Sequence, residues 1–329
     1  MYQVPDMNLW KGRINPHHSD LLLHQIVKPL DLSNGLITGT APAVALLGFM
    51  CDEGVRRNFG RTGAVNGPNE IRKASTGLSV PFAVDKMNVY DAGNVICTNE
   101  HLEAAFLHLI KKTTKLLSQG MFPILLGGGH ETAYPHFKAI RDHVDTDKRI
   151  GIINFDAHFD MRTYENGPHS GSSFRHIMDD ELEAGRTFHY LPIGIRPASN
   201  TPSLFEVMRA HRQTYILLEE VQQDFARVLD KITAFSSTVD YLYLSIDLDC
   251  FPSAYAPGVS AAAPDGMLPG DLRRMLKLLI QTQKVVSIDL VEVNPDFDID
   301  DRTARLAALL LYDCLSCISG ICTHQSSIT

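Results

Sequence analysis

The sequence predicts an α/β protein built on a largely parallel sheet with helices on both faces. Two observations carry this expectation. Short apolar runs lack the in-out alternation of a half-solvated strand, the pattern of strands covered on both sides. Most of them are separated by helix-length segments with apolar residues at three- and four-residue spacing. Strict strand-helix alternation allows an open doubly wound sheet or a closed eightfold barrel, and eight strands satisfy either.

In chain order, the first strand is the run Ala43–Met50, followed by a helix over Asn66–Thr76 and a strand at Met87–Asp91. A long helix, Leu102–Gln119, leads to the strand Pro123–Leu126, and the helix Glu131–His143 to the strand Ile150–Asp156. The helix Ser173–Ala184 precedes the strand Phe188–Ile195, and Leu204–Arg212 precedes the short run Tyr215–Glu219. The remaining elements are a helix over Gln222–Phe235, the strand Tyr241–Asp247, the helix Pro269–Gln283, the strand Val285–Val293 and a last helix from about Asp301 to Ile318.

At 329 residues the chain is long enough for two domains by a count of roughly 150 residues each, yet single α/β domains often exceed that. No Pro/Gly/Ser linker or fixed-period repeat divides it, so one domain over 1–329 is expected, with an irregular N-terminal segment to about residue 40. A hydrophobic share of 44% and a charged share of 21% exclude a disordered chain, a coiled coil and a collagen-like fibre. With 30 basic against 38 acidic residues the net charge is −8, and no basic footprint argues for nucleic acid. Met1–Asn15 lacks the apolar core of a signal peptide. No apolar run approaches the ~20 residues of a membrane span, the longest lying near Leu306–Tyr312. With no secretion signal, the six cysteines fit a reduced, cytoplasmic setting. Cys314 and Cys317, with Cys322 and His324, resemble half a zinc knuckle; lacking a second Cys-x-x-Cys they read instead as buried helix thiols.

Three segments stand out because acids and histidines sit where a buried strand ends: Ile124–Glu131 with its triple glycine, Ile153–Asp160, and Leu244–Asp249. A carboxylate beside such an apolar run is costly unless paired or coordinated. In parallel α/β sheets the C-terminal strand ends converge on one crevice. Asp156 and His158 are two apart, as are Asp247 and Asp249, so each pair points to one side of an extended chain. With His130 and Asp160 they make four carboxylates and two imidazoles. Four bare carboxylates repel one another, and divalent cations cancel the repulsion. Six oxygen and nitrogen ligands, some able to bridge, suit two ions rather than one, and a carboxylate-rich set without thiolates favours Mn²⁺ over structural Zn²⁺. Read singly, each feature has a bland account: Asp160 or Asp249 as a cap or turn residue, His130 as a loop histidine. The triple glycine is no phosphate cradle, since no Gly-Lys-Ser/Thr follows it.

Gly127-Gly-Gly-His-Glu131, Asp156-Ala-His-Phe-Asp160, Ser245-Ile-Asp-Leu-Asp249 and Val291-Glu-Val-Asn-Pro295 resemble the four signatures of the ureohydrolase family, which includes arginase, agmatinase and formimidoylglutamase. Leu9–Arg13, Gly48–Ala64 and Gly194–Thr201 resemble the formimidoylglutamase branch. The resemblance implies a three-layer αβα fold with an open, mostly parallel eight-stranded sheet. It implies two Mn²⁺ ions, one held by His130, Asp156, Asp160 and Asp247, the other by Asp156, His158, Asp247 and Asp249. The implied reaction is hydrolysis of N-formimidoyl-L-glutamate to L-glutamate and formamide, a late step in histidine degradation, by water that the ion pair activates. Asp160 would carry a proton to the leaving amine, and Glu292 would hold the amidine. An agmatine or guanidino-acid hydrolase is the alternative within the family. A non-catalytic metal-binding protein is the alternative outside it, disfavoured by the complete ligand set.

The loop His169–Arg175 departs from the family's His-Gly-x-Pro pattern, with Ser170 at the position of that histidine and Ser173 at that of the proline. His169 is the candidate proton relay left in the loop. The small-molecule anionic substrate needs local cations in an acidic protein. Arg56, Arg57 and Arg61 cluster in one loop, of which Arg61 is the best placed, with Asn58, Ser170, Arg175 and Arg196 as further substrate-binding candidates. No nucleic acid and no membrane partner is expected, and the family resemblance implies a homo-oligomer.

Overall fold

The structure, a computed structural model, describes residues 1–14, 20–34 and 42–325, the last five of these by backbone alone. Among the described residues, ten strands form one sheet: β1 (Tyr2–Gln3), β2 (Lys28–Pro29), β3 (Ala43–Met50), β4 (Asn88–Ile96), β5 (Phe122–Leu126), β6 (Ile150–Phe155), β7 (His189–Ile195), β8 (Ile216–Leu217), β9 (Tyr241–Asp247) and β10 (Val285–Val291). Their order is β1-β4-β3-β5-β10-β9-β6-β7-β8, with β2 also on β4. Every pairing is parallel except that of β1 with β4. β1 and β8 end the order without meeting, so the sheet is open and the barrel is excluded.

The fold departs from the expected eight strands by two. β1 and β2 are two residues each, too short to register as apolar runs, and they fall in the segment expected to be irregular. That segment also holds a one-turn helix α1 (Leu23–Ile26). β4 runs five residues past its expected end because Arg72, fully buried, satisfies the polar groups there: its Nη2 donates to Asp91 Oδ1 at 3.0 Å and its Nη1 to Asn94 Oδ1 at 2.8 Å. A second short helix, α2 (Glu53–Arg57), was not expected, one turn being too brief to show a period.

Helices α3 (Gly67–Ser75), α8 (Leu218–Gln223), α9 (Phe225–Ser237), α10 (Pro269–Gln281) and α11 (Arg302–Gln325) cover one face. α4 (Leu102–Ser118), α5 (Ala133–His143), α6 (Ser173–Glu183) and α7 (Pro202–Ala210) cover the other. The expected strand Tyr215–Glu219 keeps only Ile216–Leu217, and α8 takes its end; Asp224 then separates α8 from α9, the expected helix, accepting from the Arg227 backbone N–H at 3.1 Å to cap α9. Successive strand residues feed opposite layers, Leu242, Leu244 and Ile246 going to the first and Tyr243 to the second. α11 is long and apolar enough, by length and composition alone, to cross a membrane, as the buried core helix of a globular protein can be. Its apolar residues, Ala307, Leu310, Leu311, Cys314, Leu315 and Ile318, are buried in the core of the first layer. Cys314 and Cys317 are thiols on this helix; the side chains of Cys322 and His324 lie outside the described residues.

The sheet register sets up the site. Leu290 pairs with Leu126, Val291 with Asp247, and Phe155 with Ile246, so β5, β10, β9 and β6, four adjacent strands, end level with one another. Whatever follows those ends is presented at one place.

Candidate metal centre

Each strand end delivers one part of a buried cluster. After β5, Gly127–Gly129 turn the chain so that His130 opens a 3-10 turn before α5. Gly128 is required for close approach: a Cβ there would lie 1.8 Å from the Cys51 carbonyl oxygen. His130 Nδ1 stands 3.2 Å from Asp156 Oδ2, 3.0 Å from Asp160 Oδ2 and 3.1 Å from Asp247 Oδ2. His158 Nδ1 stands 3.3 Å from Asp156 Oδ1 and 3.1 Å from Asp249 Oδ2. The pairs two residues apart do share a side, each braced by its own backbone: Asp156 Oδ1 accepts from the His158 N–H and Asp247 Oδ1 from the Asp249 N–H, both at 2.7 Å.

Two overlapping groups could each hold a cation: His130, Asp156 and Asp247, and Asp156, His158 and Asp249, with ligand atoms in each group within 4.8 Å of one another. Asp156 belongs to both, and Asp160 adds a carboxylate to the first. The donor set is oxygen and imidazole nitrogen without sulfur, the chemistry of Mn²⁺ rather than of a structural Zn²⁺. The fit also shows in what the protein leaves unsatisfied. His130 Nδ1, Asp249 Oδ1 and Glu292 Oε2 are buried without a hydrogen-bond partner, a cost that coordination or a ligand removes.

The electrostatics agree. Burial, then the charges of Asp249 and Asp156, push the Asp247 carboxyl well above its ordinary range, and burial followed by Asp156 raises Asp160. Asp156 is held low, because His130 and His158 outweigh the opposing effect of burial. Burial opposes charge on the two imidazoles, but the carboxylates around them raise both well above the usual histidine value. Without cations the cluster thus draws in protons to relieve its own repulsion.

Asp160 and Glu292 share a backbone signature. Their φ angles are +48° and +68°, in the left-handed region that non-glycine residues seldom adopt, at about 1–3 kcal/mol each. Both are pinned there. The Asp160 carbonyl accepts from Phe174 N–H at 3.2 Å at the start of α6, and Glu292 N–H donates to the Gly128 carbonyl at 2.7 Å. Glu292 Oε1 accepts from the His130 N–H at 2.8 Å, while Oε2 is left unpaired. Burial, then the charges of Asp247 and Glu131, raise the Glu292 carboxyl well above its ordinary range.

A cavity of about 280 Å³ opens over the cluster, lined by His130, His158, Asp160, Asp247, Asp249 and Glu292 below and by loop residues above. Of the expected substrate contacts, Asn58, Arg61 and Ser170 line it. Arg61 is anchored by its Nε to the Ser260 carbonyl at 2.9 Å and lies 4.1 Å over the Phe297 ring. Asn58 Nδ2 donates to Ser170 Oγ at 3.1 Å.

Three expected residues lie elsewhere. Arg175 turns along α6 to Asp179, one helical turn on, at 3.1 Å. Arg196 is buried and donates to the Asp265 carbonyl at 2.8 Å, facing a separate cleft. His169 points away from the cavity, its Nε2 3.0 Å from the Thr163 carbonyl, and burial lowers its pKa. Arg196 and His169 are held by backbone carbonyls that sequence spacing does not reveal, and Arg175 by the carboxylate four residues on. Arg56 and Arg57 are likewise engaged, by Glu53, Glu100 and Glu103. Arg162 was missed. It lines the cavity, exposed, with a 3.3 Å contact to Asn58 Oδ1. Its signal was its place two residues past Asp160 in the same strand-end segment.

A model of the arginase family matches residues 42–317. The chain belongs to the arginase family. It is a hydrolase of amidine carbon–nitrogen bonds and has that family's three-layer fold. A formimidoylglutamase of Geobacillus kaustophilus (strain HTA426) is 40% identical over 319 residues, covering 96% of this chain and 97% of the relative. Among solved structures, the formimidoylglutamase of Bacillus subtilis superposes with a TM-score of 0.81 at 24% identity over 94% of this chain and 95% of that one, a likeness of fold. Formiminoglutamase of Trypanosoma cruzi with two Mn²⁺ has a TM-score of 0.75 at 29% identity, covering 84% of this arginase-family chain and 94% of its own.

Proposed function

We propose that this arginase-family enzyme hydrolyses N-formimidoyl-L-glutamate to L-glutamate and formamide, using two manganese ions. His130, Asp156, Asp160 and Asp247 would hold one ion, and Asp156, His158, Asp247 and Asp249 the other. When bound, the pair supplies positive charge that lowers the pKa of a shared water and makes a nucleophile at neutral pH.

The chain's own residues supply the rest. Glu292 Oε2, buried and unpaired beside the cluster, would accept an N–H of the amidine and orient its carbon above the floor. Water oxygen adds to that carbon, and the bond to the glutamate nitrogen breaks. Asp160, its carboxyl raised by burial and by Asp156, is suited to hold the water proton and deliver it to the leaving amine.

The observation that carries the substrate choice is the rim. Arg61 and Arg162 place two cations over an otherwise acidic cavity, with Asn58 and Ser170 as donors beside them. That suits a dicarboxylate and repels a cation such as agmatine. The relatives named formimidoylglutamase support the same choice. Ser170 also sets a hydroxyl where the guanidine hydrolases of the family carry an imidazole. The reading extends to a cytoplasmic homo-oligomer in histidine degradation. Manganese-loaded and chelated protein, offered formimidoylglutamate, agmatine and arginine in turn, tests it. Formamide from the first substrate alone, lost on chelation, is expected; urea from either of the others would refute it.

A further inference from the structure

Behind the metal cluster, on the side away from the cavity, a second polar network is buried between the sheet and α5. His130 Nε2 lies 2.9 Å from Ser245 Oγ, and Ser245 Oγ donates to Asp289 Oδ1 at 2.6 Å. Asp289 Oδ2 also accepts from the Tyr243 hydroxyl and lies 2.6 Å from His136 Nδ1. His136 Nε2 is 2.6 Å from Ser287 Oγ, which in turn donates to the Pro123 carbonyl at 2.8 Å. Ser245, Asp289, His136, Ser287 and Tyr243 are all fully buried.

The direction of the bonds can be worked out along the chain. A carboxylate only accepts, so the single Ser245 proton is committed to Asp289. Ser245 Oγ can then only accept from His130, which puts the ring proton on Nε2 and turns the Nδ1 lone pair toward Asp156, Asp160 and Asp247. We infer that Asp289, acting through Ser245, is a positioning residue that fixes the tautomer and ring orientation of His130 and so tunes one of the two metal positions selectively. His158 lacks such backing: it is 23% exposed, and no hydrogen bond to its Nε2 is found among the described residues. A histidine ligand braced through its second nitrogen by a carboxylate holds metal some 10–100-fold better than an unbraced one.

This inference rests on the metal reading above, though not on the substrate. It is tested by titrating Mn²⁺ into metal-stripped wild type, Ser245→Ala, Ser245→Thr and Ser287→Ala, following stoichiometry and affinity by calorimetry and the coupling of the ions by electron paramagnetic resonance. Wild type should bind two ions; fewer would undermine the metal reading itself. Ser245→Ala should lose about 10–100-fold in affinity for one ion only, with the signal of an isolated Mn²⁺ at intermediate loading. Ser245→Thr, which keeps the hydroxyl, should restore it, and Ser287→Ala, cut at the far end, should leave both affinities near wild type. Equal weakening of both ions, or no weakening, in Ser245→Ala would overturn the inference. Should Ser245→Ala fail to fold, Asp289→Asn reads the same point: weakening confined to one ion supports it, and equal or absent weakening overturns it.

Discussion

The floor and the rim of the cavity are built on different principles. The floor stands on the ends of β5, β6, β9 and the turn after β10, and His130, Asp156, Asp247, Asp249 and Glu292 are each at most 4% exposed. The rim is made of loops. Phe59 there is 98% exposed, Arg61 leans on backbone carbonyls, and Arg162 makes one loose contact with Asn58. On the floor, sheet register determines where a side chain goes, so residue type and position along the strand suffice to place it. On the rim, a long side chain goes to whichever partner is nearest, and that partner is often remote in sequence.

The contrast can be broken at its strong end first. Asp247→Asn should abolish turnover and reduce bound manganese, read together as activity and metal content, because this carboxylate meets His130 and adjoins Asp249. Full metal and activity in that variant would remove the floor from the account. Asp160→Asn should lower kcat by about 10²–10⁴-fold, the usual worth of a placed proton carrier; a loss seen in KM alone would assign it to binding instead. On the rim, Arg162→Met should raise KM for formimidoylglutamate about tenfold with kcat little changed, the loss of one exposed charge-assisted contact. The smallest effect is expected for Arg175→Met, within about twofold, since that side chain is tied to Asp179 on the surface of α6. A larger effect from Arg175 than from Arg162 would reverse the placement of the rim.

The same contrast explains what could be read from the sequence. The seven longer strands, and the level at which β5, β10, β9 and β6 end, follow from apolar runs that need no knowledge of partners, and with them come the six clustered acids and histidines and Glu292. β1, β2, α1 and α2 were too short to carry a period. The split between α8 and α9 turned on one cap at Asp224. Arg196 and His169 sit in suggestive sequence but hydrogen-bond to the carbonyls of Asp265 and Thr163, contacts made by backbone and therefore silent in residue identity. Arg162 stands alone in sequence, whereas three arginines cluster in an earlier loop, and two of those are spent on Glu53, Glu100 and Glu103.

We propose that this floor holds two manganese ions sharing Asp156. Anomalous scattering from crystals of the manganese-loaded enzyme tests it directly. Two peaks are expected, one in coordination reach of His130 Nδ1 and one of His158 Nδ1, with Asp156 between them. A single peak, or a metal bound away from the ends of β5, β6 and β9, would contradict it.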